Sequence, residues 1–151
     1  MSNQATGLII GKFCPPHKGH RFLIDAALKE TGSLTVLLCN SAADSIPAEQ
    51  RLAWLRSWYP QVRFLEIYPD RFDRQSAQAW VDTTLEAIGT APDLIFSSEA
   101  YGEQYAEMLG ATHRMIDRER ATVPCSAGSI LADPAGNSQF IDPEVLKYLL
   151  G

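Results

Sequence analysis

The residues best suited to chemistry lie between positions 11 and 20, which read GKFCPPHKGH. His17 and His20 are three residues apart, so on a helical turn their imidazoles would share one side. Gly19 lies between them and would let a ligand approach the backbone closely, because glycine has no Cβ. Imidazole N–H groups beside an exposed backbone form a set of donors that suits an anion.

The elements on either side of this segment favour a phosphate. An apolar stretch over residues 7–13 predicts a first strand, and apolar spacing over residues 18–30 predicts a helix that follows it. A helix start presents N–H groups and the positive end of a dipole, and Lys12 and Lys18 add charge. Phosphoryl-type transfer depends on positioning and charge neutralisation. The junction therefore predicts a polyphosphate site in which histidines donate to phosphoryl oxygens.

Two other interpretations of the histidine pair stay open at this point. Histidines are often surface or hydrogen-bonded structural residues, and the pair could have only that role. A zinc pair is a second possibility, but the sequence offers no evident third ligand. We therefore predict no metal bound directly by the protein.

Strands and helices alternate along the rest of the chain. Further strands are predicted over residues 33–39, 62–67, 93–97 and, more weakly, 112–116, and further helices over 47–58, 75–88, 100–109, 126–132 and 143–150. This alternation predicts a Rossmann-like, doubly wound α/β fold, with a mostly parallel five-stranded sheet and helices on both faces. Ligands on such sheets bind beyond the carboxyl ends of the strands, where the strand order reverses.

The composition narrows the class of protein and its surroundings. The chain has 151 residues, 46% of them hydrophobic, which suits a single domain of ordinary size over residues 1–151. The net charge of -5 and the lack of a Lys/Arg cluster argue against nucleic acid as a partner. We find no signal peptide and no membrane-length apolar run, so a cytoplasmic location is expected. The three cysteines form no CxxC pair, which argues against a disulfide framework.

Several segments carry a family resemblance. HKGH at 17–20 resembles the (H/T)xGH signature of the adenylyl- and cytidylyltransferase superfamily. The fuller GKFCPPHKGH is similar to the nicotinamide mononucleotide (NMN) adenylyltransferases of the archaeal and NadR type. The resemblance extends through AEQRLAWL at 48–55, AWVDTTLEAI at 79–88, PDLIFSSEAYG at 92–102 and MIDRERATVPCSAGSILADP at 115–134.

The resemblance implies a reaction and a set of reacting groups. In such enzymes the 5′-phosphate of NMN attacks the α-phosphorus of ATP in line, pyrophosphate leaves and NAD forms. By similarity, His17, His20 and Lys12 would be the catalytic residues, because they would hold the phosphates and stabilise their charge. Mg²⁺ would be bound through the ATP phosphates. ATP and NMN are the implied partners, and a homo-oligomer is possible.

The same resemblance implies two further groups of ligand-binding residues. The ATP-binding group is Gly11, Phe13, Gly19, Ser98, Ser126 and Arg120, and the substrate-binding group is Trp80, Arg51 and Asn40. Trp80 matches a family tryptophan that stacks on the nicotinamide ring, a favourable pairing of a cationic ring with an indole. The alternatives without a ligand contact are a core position for Trp80, a solvated helix position for Arg51 and a helix-capping role for Ser98.

The chain departs from the family at its second signature, SxTxxR. Ser126 keeps the serine position, but Gly128 stands at the threonine position and Leu131 at the arginine position. Leucine cannot neutralise phosphate, so Arg118 or Arg120 substitutes, ATP binds weakly, or catalysis has been lost. Two alternatives therefore stay open. One is a related transferase with another acceptor, such as phosphopantetheine or a CTP-dependent substrate, and the other is a catalytically weak nucleotide-binding or sensor domain.

Overall fold

The structure is a computed structural model that describes residues 5–40, 44–67, 77–98, 101–116 and 125–151. The strands are β1 (Thr6–Gly11), β2 (Ser33–Cys39), β3 (Arg63–Ile67), β4 (Leu94–Ser97) and β5 (Thr112–Met115). The helices are α1 (Lys18–Glu30), α2 (Ala48–Trp58), α3 (Ala77–Ile88), α4 (Tyr101–Leu109), α5 (Ala127–Ala132) and α6 (Pro143–Leu150). A 3₁₀ helix, Ala135–Phe140, lies between α5 and α6.

The described strands form one five-stranded sheet in the order β3-β2-β1-β4-β5. Every pairing in it is parallel; Gly11 lies opposite Leu38 on β2, and Gly7 lies opposite Leu94 on β4. The chain moves outward from β1 to β3 and then returns to the other side of β1. The strand order therefore reverses between β1 and β4, which is where ligands of such sheets bind. The predicted Rossmann-like parallel sheet is confirmed.

Two apolar clusters cover the two faces of the sheet. On one face, α1 and α2 pack buried residues that include Leu23, Ile24, Leu52 and Leu55 against Ile9, Val36 and Phe64. On the other face, Val81 of α3 and Tyr105, Ala106 and Leu109 of α4 pack against Leu8, Leu37 and Ile95. Strands buried on both faces read as continuous apolar runs, which is how LIIG and VLLC appear in the sequence.

A third apolar cluster joins the end of the chain to the loop after β1. It contains Cys14, Ile46, Trp54, Cys125, Ile130, Ile141 and Val145, all of them buried. Of the elements after residue 125, α5 contributes Ile130 and α6 contributes Val145. This packing holds the start of α5 close to the segment that carries the two histidines.

The predicted element boundaries differ from the structure in a few places. The first strand was predicted to reach residue 13, but it ends at Gly11 because Phe13 takes a left-handed backbone conformation with φ of 53°. The 3₁₀ helix at Ala135–Phe140 was not predicted. Within the described ranges, no helix has the length and apolarity needed to cross a bilayer.

Candidate active site

The two histidines of the motif cap the start of α1 with their own side chains. His17 is the N-cap residue, and its Nδ1 accepts hydrogen bonds from the backbone N–H of Gly19 at 3.0 Å and of His20 at 3.3 Å. In return, His20 Nδ1 accepts from the backbone N–H of His17 at 3.1 Å. The rings stack with centroids 3.7 Å apart and planes 18° apart. The pair therefore occupies a reciprocal capping box, with imidazoles as the acceptors.

This geometry assigns the tautomer of both rings. A nitrogen that accepts a backbone N–H cannot carry a proton, so Nδ1 is unprotonated in His17 and in His20. In the neutral imidazoles the proton then lies on Nε2. Both rings are thereby set up as hydrogen-bond donors through Nε2, which is the role that contact with a phosphoryl oxygen requires.

Phe13 contacts the ring of His20, and Gly19 lies against the ring of His17. Phe13 is 1% exposed, and its ring contacts that of His20 with centroids 4.5 Å apart. A Cβ on Gly19 would lie 2.8 Å from Cε1 of His17, so this glycine makes room for the His17 ring. The prediction explains Gly19 by the close approach of a ligand to the backbone. The structure adds a different reason, which is the space that the His17 ring needs. Gly11 precedes them at the end of β1.

Arg51 connects the ends of β1 and β2 from inside the protein. Its side chain is completely buried, and its five N–H groups have five protein acceptors. Nε donates to the carbonyl of Ile46 at 2.9 Å, and Nη1 donates to the carbonyls of Lys12 at 2.7 Å and Cys39 at 3.3 Å. Nη2 donates to Asn40 Oδ1 at 3.1 Å and to Asp44 Oδ2 at 3.3 Å. The predicted substrate contact of Arg51 stays a prediction, and a substrate oxygen would have to displace one of these acceptors.

Lys12 and Asn40 lie beside this guanidinium at the carboxyl end of the sheet. Lys12 Nζ forms an ion pair with Asp44 Oδ1 at 3.1 Å. Asn40 uses its oxygen for Arg51 and donates from Nδ2 to Glu66 Oε1 at 2.8 Å. Each of these two candidates from the sequence is hydrogen-bonded to Arg51 and also contacts a carboxylate that sequence reasoning missed. Neither carboxylate belongs to a recognisable motif, so only the fold reveals them.

Cys39 belongs to the same region but adds no charge to it. Its carbonyl accepts from Arg51, and its side chain packs in the cluster beneath the end of β2. Burial raises the pKa of the Cys39 thiol to about 12, so the thiol stays protonated and neutral at physiological pH.

The second signature lies next to the first. Cys125 Sγ is 3.4 Å from His17 Nδ1, and the next residue, Ser126, is the N-cap of α5. Ser126 Oγ accepts from the backbone N–H of Ser129 at 3.2 Å, so the serine caps α5, and the ATP contact predicted for it stays a prediction. The contact of Cys125 with His17 carried no signal in the sequence, because the two residues are 108 positions apart.

The departures from the second signature are on the surface of α5. Leu131 is 40% exposed, and Gly128 is exposed with no atom within 4 Å of where a Cβ would lie. Arg118 and Arg120, the two residues considered as substitutes for the missing arginine, lie outside the described residues. The ATP contact predicted for Arg120 therefore stays a prediction.

Trp80 and Ser98 lie at the carboxyl side of the sheet. Trp80 of α3 is half-buried and packs on the cluster that contains Cys39 and Ile67, which end β2 and β3. Ser98 is half-buried and directly follows β4. Both residues occupy the side on which ligands of this fold bind. The predicted contact of Trp80 with nicotinamide and that of Ser98 with ATP stay predictions.

A polar pair between the end of β4 and the second residue of β5 was not predicted. Ser97 Oγ and His113 Nε2 are 2.6 Å apart, and a Cβ on Gly102 would collide with both side chains. Burial lowers the pKa of His113, and the charge of Glu103 opposes this shift in part. The neutral imidazole is therefore the favoured form, and α4 begins directly over the pair.

The geometry defines a class of protein. Two imidazoles accept backbone N–H groups through Nδ1 at a helix start, and in the neutral rings the proton lies on Nε2. The helix begins where the strand order of a parallel sheet reverses. Lys12, in the loop between β1 and this helix, supplies an exposed ammonium. This arrangement is typical of α/β proteins that bind the phosphates of a nucleotide.

The chain belongs to the cytidylyltransferase-like family, whose model matches residues 8–127. This match confirms the nucleotidyltransferase resemblance inferred from the histidine motif. A sequence relative is the trifunctional NAD biosynthesis/regulator protein NadR of Escherichia coli (strain K12), 27% identical over 97% of this chain. The chain spans 41% of the length of that relative.

Solved structures show the same fold. A crystal structure of NadR protein in complex with NR has a TM-score of 0.72 at 15% identity, over 93% of this chain and 44% of that one. A bifunctional NMN adenylyltransferase/ADP ribose pyrophosphatase from Francisella tularensis, complexed with AMP and Mn ion, has a TM-score of 0.71 at 15% identity. That match covers 99% of this chain and 48% of the other.

Proposed function

We propose that the protein is an adenylyltransferase that joins ATP to NMN and forms NAD and pyrophosphate. The observation that carries the proposal is the pair of imidazoles whose Nδ1 atoms are held by backbone N–H groups, which assigns their protons to Nε2. The relatives support the choice of acceptor, since their names include NAD biosynthesis and NMN adenylyltransferase.

In the proposed reaction, an oxygen of the NMN phosphate attacks the α-phosphorus of ATP as the bond to the pyrophosphate oxygen breaks. Charge builds up on the equatorial oxygens of the α-phosphoryl group during this displacement. The Nε2–H of His20, the less buried of the two rings, donates to one of those oxygens. His17 holds the helix start and its partner ring in place, and Lys12 neutralises the departing phosphates.

The described residues contain no group of three or more His, Cys, Asp or Glu side chains placed to hold a metal ion. In the proposed reaction a divalent ion would arrive on the triphosphate and keep most of its water, as Mg²⁺ prefers. Mg²⁺ would neutralise phosphate charge when it is bound in this way.

A direct assay tests the proposal. Purified protein is incubated with NMN, ATP and Mg²⁺, and NAD and pyrophosphate are measured as products in equal amounts. Parallel reactions with deamidated NMN and with 4′-phosphopantetheine test the acceptor. Formation of a product from phosphopantetheine but not from NMN would overturn the assigned acceptor.

Trp80→Ala tests whether the indole stacks on nicotinamide. We expect the KM for NMN to rise about 2- to 30-fold, because a cation–π contact of that strength is lost, while the KM for ATP stays the same. Trp80→Phe is the control, since it keeps an aromatic face on the same helix and should lose less. Equal KM values for NMN in the Ala variant and the wild type would count against stacking.

A second candidate function is a nucleotide-binding domain with weak turnover. Leu131 and Gly128 favour it, because they stand where the family carries an arginine and a threonine. ATP binding in calorimetry without NAD formation in the assay would select this candidate.

A further inference from the structure

One carboxylate is shared by the lysine of the candidate site and by the buried arginine. Asp44 Oδ1 lies 3.1 Å from Lys12 Nζ, and Asp44 Oδ2 lies 3.3 Å from Arg51 Nη2. The Lys12 side chain is 56% exposed, whereas that of Asp44 is 8% exposed and that of Arg51 is fully buried. The carboxylate is therefore anchored from the protein interior, and the ammonium lies where solvent or a ligand can reach it.

Arg51 holds Lys12 at its backbone as well. Its Nη1 donates to the Lys12 carbonyl at 2.7 Å while its Nη2 reaches Asp44. A planar guanidinium with all five donors engaged has little freedom to move. The Lys12 carbonyl thus contacts the guanidinium directly, and the Lys12 ammonium is connected to the same guanidinium through Asp44.

We propose that Arg51 and Asp44 are positioning residues that hold the Lys12 ammonium at the phosphate site until a polyphosphate takes it over. The inference rests on the proposed function, since it treats Lys12 as a ligand of the nucleoside triphosphate. A triphosphate must then compete with Asp44 for the ammonium. The Lys12–Asp44 ion pair therefore weakens phosphate binding, but it also fixes the position of the lysine before a ligand binds.

The test is a double-mutant cycle on binding alone. Asp44→Asn keeps the size of the side chain and an oxygen for Arg51, but removes the charge that holds Lys12. We expect ATP and inorganic tripolyphosphate to bind about 3- to 10-fold tighter, as measured by calorimetry at fixed salt. In a Lys12→Met background, the same Asp44 substitution should change affinity by less than about twofold, because there is no ammonium to release.

Asp44→Glu is the matched control, because it keeps a carboxylate beside the lysine and should bind ATP within about twofold of the wild type. If Asp44→Asn does not fold, Asp44→Ser carries the same expectation. Equal shifts in both backgrounds would mean that Asp44 only repels phosphate through space, and would overturn the proposal. Weaker or unchanged binding in Asp44→Asn would overturn it too, as would unchanged ATP affinity in Lys12→Met.

The cycle is separate from turnover. A protein that makes no NAD but shows the lysine-dependent gain in tripolyphosphate affinity would contradict the proposed reaction and support the positioning device. A protein that makes NAD without that gain would do the opposite.

Discussion

At the scale of single residues, each imidazole of the motif has two chemically distinct nitrogens with separate tasks. Nδ1 holds the backbone of the helix start, and Nε2 carries the proton that the proposed reaction uses. A substitution that keeps a hydrogen-bond acceptor at the position of Nδ1 but removes the Nε2 donor can therefore separate folding from chemistry. Asparagine is such a substitution, because its Oδ1 lies nearly at the position of Nδ1.

His20→Asn is predicted to leave the stability close to that of the wild type and to lower kcat about 100- to 1,000-fold. The cap on the His17 N–H is kept, whereas the donor aimed at the reacting phosphate is lost. Steady-state NAD formation and a thermal melt check the two halves. His20→Ala is the comparison, since it loses the cap as well and should melt at a lower temperature. Wild-type turnover in His20→Asn would refute the donor role.

At the scale of elements, α6 is attached to the body of the protein by a salt bridge. Arg21 on α1 donates from Nη1 to both oxygens of Asp142, at 3.0 and 2.8 Å, directly before α6 begins. The same guanidinium lies 4.9 Å from the centre of the Trp58 ring on α2. One side chain thus joins α1, α2 and the start of α6.

Asp142→Asn is predicted to lower the free energy of unfolding by about 1–2 kcal/mol, because a partly buried ion pair loses its charge on one side. Urea denaturation checks this value. Glu144→Gln is the matched control on the same helix, since the neutral amide still accepts from Trp58 Nε1, now at 2.6 Å from Glu144. Equal losses in the two variants would show that the charge of Asp142 is not what attaches α6.

The junction of β4, β5 and α4 should make stability depend on pH. Burial lowers the pKa of His113 below its unfolded value near 6.5, so the unfolded chain takes up the proton first. The stabilisation from neutral His113 is complete above about pH 6.5 and is lost as the pH falls towards the lower pKa of the folded state.

We therefore predict that the wild type loses more stability between pH 7.5 and pH 5.5 than His113→Gln does. Urea unfolding at the two pH values checks the difference between the proteins, since other titrating groups affect both alike. The same loss in both proteins would show that His113 does not contribute to the acid sensitivity.

At the scale of the whole molecule, an acidic chain places individual cationic groups at the candidate site, beside the carboxylate that pairs with them. The net charge is -5, yet Lys12, Arg51 and the start of α1 meet at one edge of the sheet. The anion must therefore be recognised by a few placed groups rather than by an overall field. The family arginine whose position Leu131 occupies is one such group, so its loss is expected to weaken phosphate binding.

Leu131→Arg is predicted to lower the KM for ATP about tenfold, because it restores a charge-assisted phosphate contact on the exposed face of α5. The stability should change by no more than about 0.5 kcal/mol, since Leu131 is 40% exposed. Leu131→Gln is the control, because it is polar without charge and should not tighten ATP. If NAD formation is negligible in the wild type and large in the Arg variant, the nucleotide-binding candidate gains.

The sequence by itself determined the order of strands and helices along the chain, because the apolar periodicity that predicts each element lies within contiguous residues. It also determined the histidine motif and its family for the same reason, since both lie within a few positions. Only the tertiary structure decided that Asp44 joins Lys12 to Arg51, that Cys125 contacts His17 and that His113 meets Ser97. These contacts depend on the spatial order of the strands in the sheet and on the paths of the loops past the strand ends. No local pattern encodes that arrangement, because it follows from packing the whole chain around two faces of one sheet.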